Sequence, residues 1–268
     1  MILWCDGAHA PDENMRRDQA LLAALDAATA AEPGDARPEA VLRLFGFAPH
    51  GITLGRAQSA SALDLERCRA DGVPWAMRPT GGRAIFHASE WTYSLAAAIA
   101  DPHWGGGLAD AYDRAATLLL RSLVRLGVPA AFAPRAGAAR GARDLSGTAC
   151  FAATARHEIV LGGKKLVGSA QRRTARALLQ QGSVLLGTGH ERLADYLALP
   201  DDERAAVRAV LATSAAHAGG VLGPDPPLER WADALMAELP AGTRRVEGAA
   251  GLPLLTLAEA ASYTAPSR

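Results

Sequence analysis

The segment GTACFAATARHEIVLGGKKLVGSAQRR, residues 147–173, carries the reading from which fold and chemistry both follow. Its second half has the signature of a β-hairpin: an apolar run, HEIVL, then Gly162-Gly163, then KKLVGS. With the glycine pair as a two-residue turn, Leu161 faces Lys164, Val160 faces Lys165 and Ile159 faces Leu166. Strand alternation then puts Ile159, Leu161 and Leu166 on the core face and Lys165, Val167 and Ser169 on the other. Lys164 falls on the apolar face, but beside the turn, where its stem can reach out to water. Lys165 is therefore expected over the open face of a rigid strand, as a placed cation or as a solvated surface lysine.

Just upstream of this hairpin stands Cys150, one of three cysteines with Cys5 and Cys68. A cysteine here is either a small buried hydrophobe or a nucleophile. A free thiol is only a few per cent thiolate at neutral pH, and an ammonium close by raises that fraction. The chain from 150 to 158 can run back beside the hairpin, which would bring Cys150 within reach of Lys165. The cysteines are odd in number and far apart, so neither a disulfide framework nor a CxxC metal site is visible.

Outward from the hairpin, strands and helices interleave. PDENMRRDQALLAALDAATAAEPG reads as a helix with Asp12 as its cap, Leu21, Leu22, Leu25 and Ala28 as its stripe and Pro33-Gly34 as its stop. AVLRLFGF and ITLGRAQ read as strands, and SALDLERCRADG as a helix with a Ser61–Asp64 capping box. WAMRPTGGRAIFHASEWTYSLAAAI reads as strand, turn, strand and a third strand. LADAYDRAATLLLRSLVRLG is the clearest helix, with Leu108, Ala111, Tyr112, Ala115, Leu118, Leu119, Leu123 and Leu126 on one face. VPAAFAP and LLQQGSVLL add strands. Short helices are expected near 190–198 and 201–212, then LERWADALMAEL and a tail. The pattern argues an α/β fold with a mixed, largely antiparallel sheet flanked by helices.

The 268 residues are 49% hydrophobic, enough for a core of ordinary density, and 28 basic side chains balance 28 acidic ones. That balance argues against a global nucleic-acid or membrane-surface role. The start lacks a signal-peptide pattern, and no window reaches the roughly 18 consecutive apolar residues of a membrane span. A reducing, cytoplasmic setting is expected.

A second glycine pair lies in RPTGGRAIFH, where Arg78, Arg83 and His87 bracket Gly81-Gly82. Paired glycines let backbone approach a ligand and expose N–H donors, and arginines hold phosphate or carboxylate. A hairpin turn with two solvated arginines is the plainer alternative. His87 has three open roles: acid–base group, hydrogen-bond anchor or core histidine.

Four segments in order, NMRRDQALL, FGFAPHGITLGRAQ, RPTGGRAIFHASEWTYSL and GKKLVGSAQRR with LLQQGSVLL, resemble the lipoyl-attaching branch of the lipoate/biotin protein ligase superfamily. The resemblance spans roughly residues 12 to 190. It implies a fold similar to the biotin ligase catalytic domain over residues 1–225, with residues 226–268 a C-terminal helix and tail and not an independent domain. It also implies roles. Lys165 matches the family's active-site lysine. Gly81, Gly82 and Arg83, with Arg78 before and His87 after, match the loop against the acyl chain. Gly168, Ser169 and Ala170 match the strand edge by the acyl carbonyl.

Cys150 separates the branches. Adenylating lipoate ligases need no cysteine nucleophile, whereas a cysteine just before the hairpin resembles the cysteine-using octanoyltransferases of the ligase-like class. That resemblance implies octanoyl-acyl carrier protein as donor, and a lysine of lipoyl domains as acceptor, in 2-oxoacid dehydrogenases or glycine cleavage H protein. It implies an acyl-Cys150 thioester, no cofactor and no metal, and no nucleic-acid or membrane partner. One departure is Ala-Thr-Ala-Arg after Cys150-Phe-Ala, where a Pro-Ser-like turn is typical. Amidotransfer between lipoyl-carrying proteins and ATP-dependent ligation are the neighbouring chemistries. A non-catalytic protein binding lipoyl domains or acyl groups is the alternative of another class. Arg135, Arg140 and Arg143, ahead of Cys150, are either a steering loop for an acidic carrier or solvated side chains.

Overall fold

Residues 2–9 form a strand that the sequence reading passed over, and much of the fold is organised on it. The computed structural model describes residues 1–29, 38–134 and 158–248. Strand β1 (Ile2–His9) lies one place from the edge of a six-stranded sheet. It is followed by α1 (Pro11–Ala28), β2 (Val41–Phe47) and β3 (Gly51–Leu54). Then come α2 (Leu65–Ala70), β4 (Trp75–Met77), β5 (Ile85–His87), β6 (Glu90–Ala98), α3 (Leu108–Arg125) and β7 (Ala130–Phe132). The hairpin region gives β8 (Ile159–Leu161), β9 (Lys164–Lys165), β10 (Val167–Arg173) and β11 (Ala177–Leu185). A 3-10 segment (Thr188–Tyr196), α4 (Asp201–Ser214), α5 (Gly219–Leu222), α6 (Leu228–Met236) and β12 (Arg244–Glu247) complete the described chain.

The main sheet has the order β10-β11-β6-β2-β1-β12. Its β10-β11, β11-β6 and β6-β2 pairs are antiparallel, and β2-β1 and β1-β12 are parallel. This is the mixed, largely antiparallel sheet that the hairpins imply. Two small sheets, β4-β3-β5 and β7-β8-β9, stand beside it.

Alternation along β1 splits the core into two layers. Leu3 and Cys5 join Leu42, Tyr93, Leu119, Leu123 and Trp231 on the face covered by α3 and α6. Ile2 and Trp4 join Val41, Leu179 and Leu21, Leu22 and Leu25 of α1 on the other. Trp231 stacks on Trp91 with ring centroids 5.3 Å apart and donates its indole N–H to Ser122 at 2.9 Å. The expected C-terminal tail is thus partly structured: α6 supplies a core tryptophan, and residues 244–247 add a strand to β1.

Three local expectations need correction. Pro11 opens α1 with Ala10 as a cap lacking a side-chain bond, because proline needs no N–H partner at that position; Asp12 lies inside the first turn. Asp64, not Ser61, caps α2, its carboxylate accepting Arg67 N–H at 2.9 Å. Leu108, the first residue of α3, is 58% exposed and is not part of the buried face.

Candidate active site

Asn14 and Asp18, spaced i and i+4 on α1, turn inward onto Arg43 of β2, a guanidinium with no solvent exposure. Arg43 donates to Asp6 and Asp18 at 2.8 Å each and to the Asn14 side chain at 2.6 Å. It lies over the rings of Trp4 and Phe45, with the guanidinium carbon 3.9 Å from the Phe45 centroid. Asp18 accepts further bonds from Ser94 and from the Gln181 amide, and Gln181 in turn accepts the Thr80 hydroxyl at 2.7 Å. This connects the α1 motif to the Gly81-Gly82 loop: a buried charge network holds the residue just before the glycines.

Arg78 braces the same loop from the other side. Its guanidinium donates to the carbonyls of Gly81 at 3.1 Å, Thr53 at 3.2 Å and Arg83 at 2.6 Å. These bonds brace the loop backbone, and Arg78 also lines the adjoining cavity. Gly82 sits at φ +88°, a conformation that suits glycine, and Gly55 packs directly against its carbonyl.

Between this loop, β10 and the sheet lies a narrow, partly open cavity. Met15, Phe45, Phe47 and Ile85 give it apolar walls, and Gly168, Ser169 and Ala170 give it an edge. Ser169 is held from beneath by Tyr93, with the hydroxyls 2.7 Å apart. Burial pushes the Tyr93 phenol up to about 12, so it acts as a neutral strut.

His87 forms part of the wall, stacked on Phe47 with centroids 3.8 Å apart. Its Nδ1 is 2.5 Å from Glu90 and its Nε2 is 2.7 Å from the Thr53 hydroxyl. Nδ1 faces the carboxylate, which leaves Nε2 to the Thr53 hydroxyl. Of its three open roles, the geometry is that of an anchored wall residue. Burial raises the Glu90 carboxyl, but the charge of His87 and hydrogen bonds from His87, Thr92 and Ser183 outweigh it. The net position is below the ordinary carboxylate value.

The hairpin register is the expected one, Val160 opposite Lys165 and Leu161 opposite Lys164. The expected faces hold for Lys164, which is exposed, but not for Lys165. Lys165 is buried, its side chain 5% exposed, and its Nζ donates to Glu158, itself buried. The open face is closed because the end of α4 lies along β9: Lys165 bridges Ala215, and its carbonyl accepts from Ala216 at 2.8 Å. Glu158 was not singled out from the sequence. Its position two residues before Val160 was the available signal, since that places it on the face of Lys165, diagonal to it.

Arg78, His87 and Gly168–Ala170 thus meet at one cavity, with Gly81, Gly82 and the half-buried Arg83 in the loop above it. Lys165 stands apart from the cavity lining, just before β10 begins. Cys150, Arg135, Arg140 and Arg143 lie outside the described residues. The other two cysteines are poor nucleophiles. Burial lifts the Cys5 thiol to about 11, with nearby Arg245 only partly opposing it, and burial also raises Cys68. No described helix is long and apolar enough to cross a membrane. Among the described residues, no cluster of three His, Cys, Asp or Glu side chains is arranged to hold a metal.

Comparison with known proteins agrees with this architecture. Residues 10–240 match the lipoyl protein ligase A/B catalytic domain. The octanoyltransferase LipM of Symbiobacterium thermophilum is 37% identical over 203 residues, which cover 73% of this chain and 69% of the relative. That of an Exiguobacterium species is 36% identical over 197 residues, covering 72% and 68%. Among solved structures, protein Ta0514 from T. acidophilum, with bound lipoic acid, superposes with a TM-score of 0.67. The match covers 97% of this chain and 94% of that one at 18% identity, a likeness of fold. By the domain match and by these relatives, the chain belongs to the lipoyl protein ligase A/B catalytic domain family.

Proposed function

We propose that the protein is an octanoyltransferase of protein lipoylation, moving an octanoyl group from acyl carrier protein to a lipoyl-domain lysine through a Cys150 thioester. The observation that carries this reading is the similarity to curated octanoyltransferases over nearly three quarters of the chain. The apolar cavity under the glycine loop supports it: burying a methylene is worth about 0.8 kcal/mol, so such a slot can select by chain length. A cytoplasmic setting suits a free thiol nucleophile.

The steps balance without ATP. Cys150 thiolate attacks the donor thioester, the C–S bond of the phosphopantetheine arm breaks, and the leaving sulfur takes a proton from the Lys165 ammonium. The acceptor amine, neutral when it attacks, then displaces Cys150 from the acyl carbon. Its excess proton passes to the now neutral Lys165, and thiolate and ammonium are restored. One thioester and one amine become one thiol and one amide.

The test is the intact mass of the protein after incubation with octanoyl-acyl carrier protein and no ATP. An octanoyl adduct on Cys150 that disappears when a lipoyl domain is added is the expected result. Transfer that requires ATP and leaves no adduct would replace this reading with adenylation.

A further inference from the structure

The cavity under the glycine loop is walled by side chains that do not match the surface it shows. Half of the described residues that line it are polar, yet the surface open to a ligand is almost wholly carbon. The difference lies in where the polar atoms point. Gln181 gives its amide N–H groups to Asp18 and to the Met15 sulfur, and its oxygen takes the Thr80 hydroxyl. The Thr53 hydroxyl lies 2.7 Å from His87 Nε2 and 3.3 Å from Arg78 Nη1. The Ser169 hydroxyl meets that of Tyr93.

Glu90 collects the rest. It opens β6, its side chain is 3% exposed, and it is not itself part of the cavity lining. A single carboxylate oxygen, Oε1, has His87 Nδ1 at 2.5 Å, the Thr92 hydroxyl at 2.7 Å and the Ser183 hydroxyl at 3.0 Å. His87, Thr92 and Ser183 all line the cavity. The sheet makes this convergence possible. Thr92 of β6 pairs directly with Ser183 of β11, so the two hydroxyls leave the sheet on one face. Glu90, two residues before Thr92, lies on that face too.

We infer that Glu90 sets the acyl specificity of this site by drawing the polar donors of the wall away from the chain, so that the cavity accepts an unsubstituted alkyl chain and discriminates against one bearing a hydroxyl. This rests on the octanoyl-transfer reading above. Length alone does not separate such chains, because a hydroxyl adds little volume. Hydrogen bonding does: a hydroxyl on the chain gives up its bonds to water and finds the donors of the wall engaged. Glu90 touches no substrate. It is a positioning residue that acts through His87, Thr92 and Ser183.

The experiment compares kcat/KM for octanoyl-acyl carrier protein with the values for carrier loaded with 5-hydroxyoctanoyl or 7-hydroxyoctanoyl groups, whose hydroxyls are remote from the reacting carbon. With the wild-type protein the hydroxylated donors should fall about 10- to 100-fold below octanoyl, the loss expected for a buried hydroxyl without a partner. In Glu90→Met the hydroxyls of Thr92 and Ser183 are freed to turn to the chain, and the discrimination should shrink by about fivefold or more. Adding Ser183→Ala to Glu90→Met removes one freed hydroxyl and should widen it again. Glu90→Gln keeps an oxygen acceptor in place and should stay nearer to wild type than Glu90→Met. A merely structural role would change unfolding and leave the ratio between donors where it was.

Equal use of octanoyl and hydroxyoctanoyl donors by the wild-type protein would overturn the inference while octanoyl transfer stands, and this arm depends on no variant. A Glu90→Met protein, folded by circular dichroism, with the wild-type ratio would overturn it as well. Calorimetric binding of octanoate and the two hydroxyoctanoates separates the inference from the reading beneath it. Preference for octanoate in a protein that transfers from none of the donors would remove the transfer reading and leave the specificity of the cavity standing.

Discussion

Gly55→Ala would test whether the glycine loop is as tightly seated as its contacts indicate. A Cβ on Gly55 would stand 1.9 Å from the Gly82 carbonyl oxygen and 2.7 Å from its carbon. Unstrained carbon–oxygen contacts begin near 3.3 Å, so the loop must withdraw by about 1.4 Å. Every clashing atom is backbone, and no rotamer change relieves it. Withdrawal stretches the Arg78 bonds to Gly81 and Arg83, and hydrogen bonds from a charged donor are worth about 1.5–3 kcal/mol each. Overpacking by itself costs roughly 1–3 kcal/mol. A destabilisation of roughly 2–4 kcal/mol in urea unfolding is expected. The loop roofs the cavity near Ala170, so a rise in KM for the octanoyl donor should accompany it. Gly81→Ala is the control for stability. A Cβ there meets nothing within 4 Å, and its unfolding should change by less than about 0.5 kcal/mol. A Gly55→Ala protein with wild-type unfolding and unchanged KM would refute the close seating of the loop.

Cys150→Ser should lower octanoyl transfer on the order of 10³-fold or more and abolish the mass adduct, with circular dichroism unchanged; wild-type turnover would remove the thioester. Arg43→Met should cost about 3–5 kcal/mol in urea unfolding, because Asp6 and Asp18 lose the cation that compensates their burial; a neutral effect would mean the network relaxes around the change. Glu90 has its folded pKa below the ordinary 4.5, so its contribution to stability is complete above about pH 4.5 and is lost as pH falls through the lower folded value. Glu90→Gln should therefore flatten the acid limb of a stability–pH curve below pH 4.5, and a limb as steep as wild type would assign acid unfolding to other carboxylates.

The antiparallel heart of the sheet was legible in the sequence because it consists of long apolar runs joined by tight turns. The Gly162-Gly163 hairpin was read to its register, and β6 and β11 were read as strands. β1 was missed because ILWCDGAH has no turn signal ahead of it and reads only as a short apolar run, and β12 because RRVE carries a single apolar residue. Both are parallel partners, and parallel pairing leaves no hairpin in the sequence. For the site, strand alternation placed Lys165 on the face opposite Lys164 but not under the end of α4. What covers a strand face is decided by residues 50 positions away, and alternation says nothing about them. Glu158 was within reach of alternation, which puts it on the face of Lys165, but its place two residues before Val160 was not used. Nor could it show the bonds that Arg78 gives to the loop carbonyls, because a guanidinium in sequence looks the same whether it meets a ligand or a loop.

The parallel ladder between β1 and β12 bears on how the molecule is made. Ile2 pairs with Arg244, so β1 waits for a strand that lies almost the whole described chain away in sequence. Closing so long a loop costs entropy that grows as (3/2)RT ln n, and contacts between distant residues slow folding. The β2-β6-β11-β10 block can assemble while β1 still presents an unpaired outer edge, the kind of surface on which strands of other nascent chains can add. Chains halted before residue 244 would keep that edge open. Their tendency to self-associate during synthesis should exceed that of the finished protein, and it would fall to the last few residues of the described chain to end it.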